Sequence, residues 1–202
     1  GVVEKVDVQL SDVETVIKVV TKLKKDNIGF TVNIVGDGPE KRKIENLVKK
    51  YNLQDSVSML GSKSHEELMQ LMKQHQVFMF TSDFREGWGA VLNEAMSNGC
   101  AVVANSGIGS VPFLMDDRQN GRVYRNCSVK QAYSATKEIL QNPHLAIKYG
   151  KNAANFLTND FNYKVAAERI YEFSQEFIKN GGGKEFEAGV LSKAKIIKNN
   201  WK

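Results

Sequence analysis

The sequence predicts a doubly wound α/β fold, a parallel sheet with helices on both faces. Three observations predict it. The apolar runs Phe30–Val35, Val57–Leu60, Val77–Phe80 and Ala101–Ala104 are four to six residues long, too short for helices. Each is followed by a segment whose apolar residues recur at helical spacing, and glycines punctuate the joints. Short strands alternating with helices form βαβ units, whose strands lie parallel and are buried on both faces.

Taken in order, Val2, Val3, Val6, Val8 and Leu10 make a patchy, mostly alternating strand, and a helix is expected from about Asp12 through Val13, Val16, Ile17, Val20 and Leu23. The run Phe30–Val35 closes on Gly36-Asp37-Gly38-Pro39, and Ile44, Leu47, Val48 and Tyr51 mark the next helix, with Pro39 suited to its first turn. Val57–Leu60 ends at Gly61-Ser62, after which Ser64 and Glu67 form a capping-box signature opening a helix through Leu68, Leu71 and Met72. Val77–Phe80 precedes a helical pattern from Gly89 to Asn98 carried by Val91, Leu92, Ala95 and Met96. Ala101–Ala104 is a buried strand, Gly121–Tyr124 one more, and Ser128 caps a helix reaching Leu140. Beyond Pro143 the pattern is helical to Phe177, a set of appended C-terminal helices that Gly181-Gly182-Gly183 ends. Residues 1–180 thus read as one domain and 181–202 as a tail of unassigned role, either a helix docked elsewhere or a linker.

With 42% hydrophobic residues over 202 positions, the chain can bury a full core. The surplus of 28 basic over 23 acidic residues, +5 at pH 7, suits phosphate-bearing ligands or contact with an anionic membrane surface, although ordinary solvated helix faces are the leading account of it. The run Lys22, Lys24, Lys25 reads as such a face, with membrane contact the minor alternative. Cys100 and Cys127 have neither metal-ligand spacing nor a disulfide framework, and no apolar stretch approaches the roughly 20 residues of a spanning helix. A cytoplasmic chain, peripheral to a membrane at most, is expected. Gly1 opens the sequence with no initiator Met, as a fragment would.

Ligands in doubly wound sheets bind outside the carboxyl ends of the strands. The loops there are Gly36–Pro39, Gly61–Ser64, Thr81–Gly89 and Asn105–Val111. The sharpest holds Glu86-Gly87-Trp88-Gly89-Ala90 and continues to Glu94, eight positions after Glu86. Glycines let backbone amides approach a ligand without a Cβ between them, and N–H groups at a helix start attract a diphosphate. A carboxylate more than a turn inside that helix, as Glu94 is expected to be, can accept two hydrogen bonds from a vicinal diol. Read alone, Glu86 is equally a turn residue and Glu94 a solvated helix residue.

The surroundings of this pair resemble the Glu-x7-Glu motif of the family-4 retaining glycosyltransferases of the GT-B fold. Gly36-Asp37-Gly38-Pro39 resembles that family's Gly-Asp-Gly-Pro turn, Leu60-Gly61-Ser62 with Glu66-Glu67-Leu68 its strand-loop-helix segment, and Thr81-Ser82 stands at its Pro-Ser place. Glu94-Ala95-Met96-Ser97-Asn98-Gly99 through Val103 and Ile108-Gly109-Ser110-Val111-Pro112 continue the likeness in order, from about Asp12 to Phe177. The resemblance implies a Rossmann-like donor half of a two-domain enzyme, with the N-terminal acceptor domain absent from this chain. It implies that Gly87, Trp88, Gly89 and Ala90 bind the donor diphosphate through backbone N–H groups, that Glu94 binds ribose, that Leu60, Gly61 and Ser62 line the base pocket beside Gly36, and that Glu86 is the catalytic residue near the sugar. It implies a nucleoside-diphosphate sugar, UDP- or GDP-linked, as donor, no metal and no other cofactor, no nucleic acid, and a setting such as envelope or capsular polysaccharide synthesis.

The chain departs from that family where an Arg and a Lys normally neutralise the diphosphate. By counting, those cations fall near Val6 and Ser11. Charge-assisted hydrogen bonds contribute about 1.5–3 kcal/mol each, so their loss weakens donor binding unless another cation substitutes. A non-catalytic module acting through protein contacts is therefore the second reading. A dinucleotide-dependent redox enzyme is the third, opposed by the missing last glycine after Gly36-x-Gly38. Trp88 and Phe113 replace the commoner Phe and Glu. His65, His75 and His144 read as surface or capping residues, and Met69, Met72 and Met79 as packing.

Overall fold

The computed structural model describes residues 4–9, in backbone only, and 13–197. Six strands, β1 (Glu4–Gln9), β2 (Phe30–Val35), β3 (Val57–Gly61), β4 (Val77–Phe80), β5 (Ala101–Asn105) and β6 (Gly121–Tyr124), form one parallel sheet in the order β3-β2-β1-β4-β5-β6. The connecting helices are α1 (Val13–Lys25), α2 (Lys41–Lys50), α3 (His65–Lys73), α4 (Val91–Ser97), α5 (Val111–Leu114) and α6 (Val129–Leu140), followed by α7 (Pro143–Asp160) and α8 (Tyr163–Asn180).

Alternation along the central strands builds two cores. Val77, Met79, Ala101 and Val103 point into one, with Ile17, Leu23, Ile34 and Ile139. Phe78, Phe80, Val102 and Ala104 point into the other, with Leu92, Met96 and Leu114. Successive side chains of a strand face opposite ways, so a run apolar at every position requires cover on both sides. Cys100 lies fully buried in the second core. Strands β1 and β4 are neighbours although five elements separate them in the chain, and this pairing places the topological switch between the two halves of the sheet.

Most elements fall where the sequence puts them. The Ser64 capping box forms in full, the Ser128 hydroxyl accepts from the Gln131 N–H, and Gly181, at φ 72°, ends α8 with its N–H on the Phe177 carbonyl. The differences have local causes. Pro39 lies in the turn before α2 rather than in its first turn, because the Lys41 N–H closes on the Gly38 carbonyl and Glu40 is the cap. Helix α4 begins at Val91, so Glu94 sits in its first turn, not deeper. His75 is buried, taking the Leu71 carbonyl at the end of α3 on one ring nitrogen and Asn33 on the other at 3.1 Å. The strand positions Val2, Val3 and Leu10 and the expected helix start at Asp12 lie outside the described residues.

Helix α7 crosses the turn between α4 and β5 at Gly150, where a Cβ would stand 1.9 Å from the Gly99 carbonyl oxygen. Helix α8 has no buried residue. The described part of the tail is neither a helix nor a free linker. It runs back along α8 and α7, with the Arg169 guanidinium donating to the Ala188 and Val190 carbonyls, the Val190 N–H to Asp160, and the Lys195 N–H to Pro112.

Candidate functional site

A cleft of ≈ 600 Å³ opens beyond the carboxyl ends of β2, β3 and β4, lined among others by Gly36, Asp37, Ser62, Lys63, Glu86 and Glu94. The glycines set its shape. Gly36, at φ 129°, donates its N–H to the Gly61 carbonyl at 2.8 Å and so joins the β2 and β3 loops. Gly89, at φ 73°, lies against the Phe80 ring, which a Cβ would meet at 2.4 Å. Both φ values fall where glycine pays no steric penalty.

Gly89, Ala90 and Val91 carry the chain past the cleft into α4, whose cap residue Ala90 offers no side-chain acceptor. The Leu92 N–H closes on the Gly89 carbonyl at 2.9 Å, which leaves the N–H groups of Ala90 and Val91 at the helix start for a ligand's oxygens. The helix is only seven residues long, so the N–H groups matter more than any dipole. Glu86 is half-buried, its carboxylate 3.4 Å from the Ser82 hydroxyl, and its carbonyl accepts from the Gly109 N–H at 3.2 Å. The Asn105 side chain donates to the Ser82 carbonyl at 2.8 Å and so ties the ends of β4 and β5. Glu94 projects into the cleft, and His65, the first residue of α3, holds its Nδ1 3.7 Å from the Glu94 carboxylate.

Of the residues singled out from sequence, Gly36, Ser62, Glu86, Gly89, Ala90 and Glu94 meet at this cleft. Gly87, Trp88, Leu60 and Gly61 are not among the residues that line it. The Leu60 side chain borders a neighbouring hollow against α3. The Trp88 ring turns away from the cleft, packing 5.6 Å from Phe113 and 5.8 Å from Phe161, and donates its Nε1–H to Asn93. Phe113 thus serves as packing for Trp88.

Two charged residues of the cleft were not anticipated. Asp37 is held below the ordinary carboxylate range by Lys41 and by the Gly38 N–H. Lys63 pairs with Glu67 at 3.2 Å and is the one cation lining the cleft among the described residues, against Asp37, Glu86 and Glu94. Of the two positions where cations were expected, Val6 lies mid-strand in β1 between Val32 and Val77, and Ser11 is outside the described residues. Among the described residues, no three His, Cys, Asp or Glu side chains converge as metal ligands, and no helix is long and apolar enough to cross a membrane.

The chain resembles known proteins in sequence and in fold. The chain is 25% identical over 167 residues to an uncharacterized glycosyltransferase of Methanocaldococcus jannaschii, covering 82% of this chain and 42% of that one. It is 26% identical over 137 residues to the alpha-D-kanosaminyltransferase of Streptomyces kanamyceticus, covering 68% and 35%. It spans about two fifths of the length of such relatives. Among solved structures, TarM superposes with a TM-score of 0.76 at 20% identity, covering 83% of this chain and 34% of that chain. HepE of Anabaena in complex with UDP-glucose superposes at 0.72 with 19% identity, covering 86% and 49%. The C-terminal domain of LpcC from Francisella tularensis superposes at 0.68 with 19% identity, covering 77% and 84%. These likenesses give the GT-B, Rossmann-like fold. Residues 9–156 match the model of the glycosyl transferases group 1, and the chain belongs to that family.

Proposed function

We propose that this chain is the donor-binding half of a retaining glycosyltransferase that takes a sugar from a nucleoside diphosphate, and that the cleft at the switch point is the donor site. One observation carries the reading: Glu86, Glu94 and the uncapped start of α4 share one wall of a single cleft. N–H groups of Ala90 and Val91 face diphosphate oxygens, the Glu94 carboxylate accepts the ribose diol, and Glu86 lies at the strand end, where the sugar emerges. Catalysis in this arrangement is electrostatic. The N–H groups stabilise the departing diphosphate, and substitution on the same face of the sugar retains its configuration without a protein nucleophile. As the family resemblance implies, we take the step to need no metal.

The relatives are more than twice as long as the matched segment, and HepE is a UDP-glucose complex. An acceptor-binding half on the N-terminal side, facing the cleft, completes the enzyme in this reading, and the relatives from colanic acid and glycogen synthesis favour polysaccharide as product. The site is placed on the cytoplasmic side, where nucleotide sugars are made. A second reading, a non-catalytic module, draws on the three carboxylates that face a single lysine in the cleft.

Calorimetric titration with UDP, GDP and ADP, repeated on Glu94→Gln, separates the two. Saturable binding of one nucleotide, weakened at least about tenfold in the variant, supports the donor site. No binding of any of the three to this chain joined to its N-terminal half rules it out. Gly89 is a poor probe, because any side chain there strikes the Phe80 ring and disturbs the fold itself.

A further inference from the structure

The donor reading leaves open which bases the cleft accepts, and the corner between β3 and α3 bears on that question. The His65 imidazole lies 3.7 Å from Glu94, so this corner adjoins the proposed ribose-binding carboxylate. A nucleotide with its diphosphate at Ala90 and Val91 and its ribose on Glu94 directs its base at Ser62, Lys63 and Leu68, all of which line the cleft. Leu68 offers an apolar surface for a ring face. The polar edge of the base meets the side chains of Ser62 and Lys63.

Lys63 is held at this corner. Its ammonium pairs with Glu67 at 3.2 Å, and Glu67 is itself fixed by the capping box, accepting from the Ser64 N–H at 2.8 Å. The side chain is 30% exposed, and it borders both the donor cleft and the adjoining hollow beside Leu60. An ammonium has three donors and no acceptor. Uracil and guanine carry an exocyclic carbonyl oxygen where cytosine and adenine carry an amino group. A lysine can donate to the first pair and meets only another donor in the second.

We propose that Lys63 is the base-selecting residue of the cleft, its ammonium donating to the exocyclic oxygen of uracil or guanine, so that the donor is a UDP- or GDP-sugar rather than a CDP- or ADP-sugar. This inference rests on the donor-site reading above.

The test measures the affinities of UDP, CDP, GDP and ADP for the wild-type chain, Lys63→Met and Lys63→Arg, with thermal unfolding as the control for folding. UDP and CDP differ at the exocyclic group on C4 and in the N3 proton; GDP and ADP differ at C6 and N1 and in the 2-amino group of guanine, so the loss of the ratio in Lys63→Met is the decisive readout. The wild type is expected to bind UDP over CDP, or GDP over ADP, by about tenfold or more, the size of one charge-assisted hydrogen bond. Lys63→Met should bring that ratio to within about threefold by weakening the carbonyl-bearing nucleotide alone, and Lys63→Arg, which keeps the donors, should preserve it. Equal weakening of all four nucleotides would make Lys63 a phosphate contact and overturn the proposal, as would an unchanged ratio in Lys63→Met. Failure of every nucleotide to bind the wild type would instead remove the donor site itself, and base selection with it.

Discussion

Gly109 lies directly against Gly87: a Cβ at position 109 would stand 1.6 Å from the Gly87 carbonyl oxygen, and the Gly109 N–H donates to the Glu86 carbonyl at 3.2 Å. The loop after β5 therefore supports the loop after β4 from behind, backbone on backbone. Gly109→Ala is expected to push Glu86 and Gly87 out of place. Because the obstruction is a carbonyl rather than a mobile side chain, the cost should reach the about 1–3 kcal/mol typical of overpacking. The variant should melt several degrees lower and lose nucleotide affinity together with stability, as differential scanning and calorimetry on the same preparation would show.

Gly87 gives the opposite case. Nothing lies within 4 Å of a Cβ built on it. Gly87→Ala should leave the melting temperature unchanged within about a degree, since a surface change away from packing costs little. If the Gly87 amide approaches the donor diphosphate, as its place before Gly89 and Ala90 leads us to expect, the same methyl group must weaken nucleotide binding. Unchanged affinity would take Gly87 out of the binding wall while leaving Ala90 and Glu94 in it.

Helix α7 is pinned to the α4–β5 turn by Gly150 on the Gly99 carbonyl. In a free helix, Gly→Ala stabilises by roughly 1 kcal/mol. Here a Cβ 1.9 Å from a carbonyl oxygen reverses the sign. Gly150→Ala should lower the midpoint of urea unfolding, and a raised midpoint would show that α7 can lift off the turn without cost.

The fold was legible because the central strands are short and apolar at every position: Val77–Phe80 and Ala101–Ala104 fit nothing but strands covered on both faces. The cleft was legible through Glu86, Gly89 and Glu94, whose residue types each have a local chemical reason to stand at a strand-to-helix turn. Lys63 and Asp37 were not, since a lysine after Ser62 and an aspartate between two glycines look like ordinary loop residues until β2 and β3 bring them side by side. The packing of the Trp88 ring was not legible either: it rests on Phe113 and on Phe161, 73 residues further along the chain. Such a long-range contact leaves no periodic trace. The course of the tail was equally hidden, because it is held by backbone carbonyls that Arg169 reaches from α8.

Acid should loosen the β3–α3 corner before the sheet. The Ser64 N–H and hydroxyl, and then Lys63, hold the Glu67 carboxyl below its ordinary value of 4.5. A folded value lower than the unfolded one means stability that is present above pH 4.5 and lost as pH falls through the lower folded value. The group is exposed, so the global effect is small and the local one is the useful readout. Amide exchange at residues 64–68 should quicken below pH 4.5 relative to the β4 and β5 amides, and Glu67→Gln, which keeps an acceptor oxygen without the charge, should flatten that dependence. Parallel acceleration in wild type and variant would mean that the capping box does not hold the corner.

Helix α8 carries apolar side chains at helical spacing into solvent: Tyr163, Ile170 and Phe177 fall seven residues apart on one face, and Tyr171 and Ile178 beside them, Ile178 at 80% exposure. A contiguous patch of this kind on a folded domain marks a surface that another body covers. In the donor-half reading proposed above that body is a second domain, and without it the patch is expected to pair with itself. Sedimentation of the wild-type chain should show concentration-dependent self-association, and Ile170→Lys with Ile178→Lys should abolish it. Because α8 has no buried residue, the double variant should melt as the wild type does and bind nucleotide with the same affinity. A fall in melting temperature would show that these isoleucines pack against the domain. Unchanged sedimentation of a monomeric wild type would show that the exposed face has no affinity of its own and would leave the docking of a second half to the rim of the cleft.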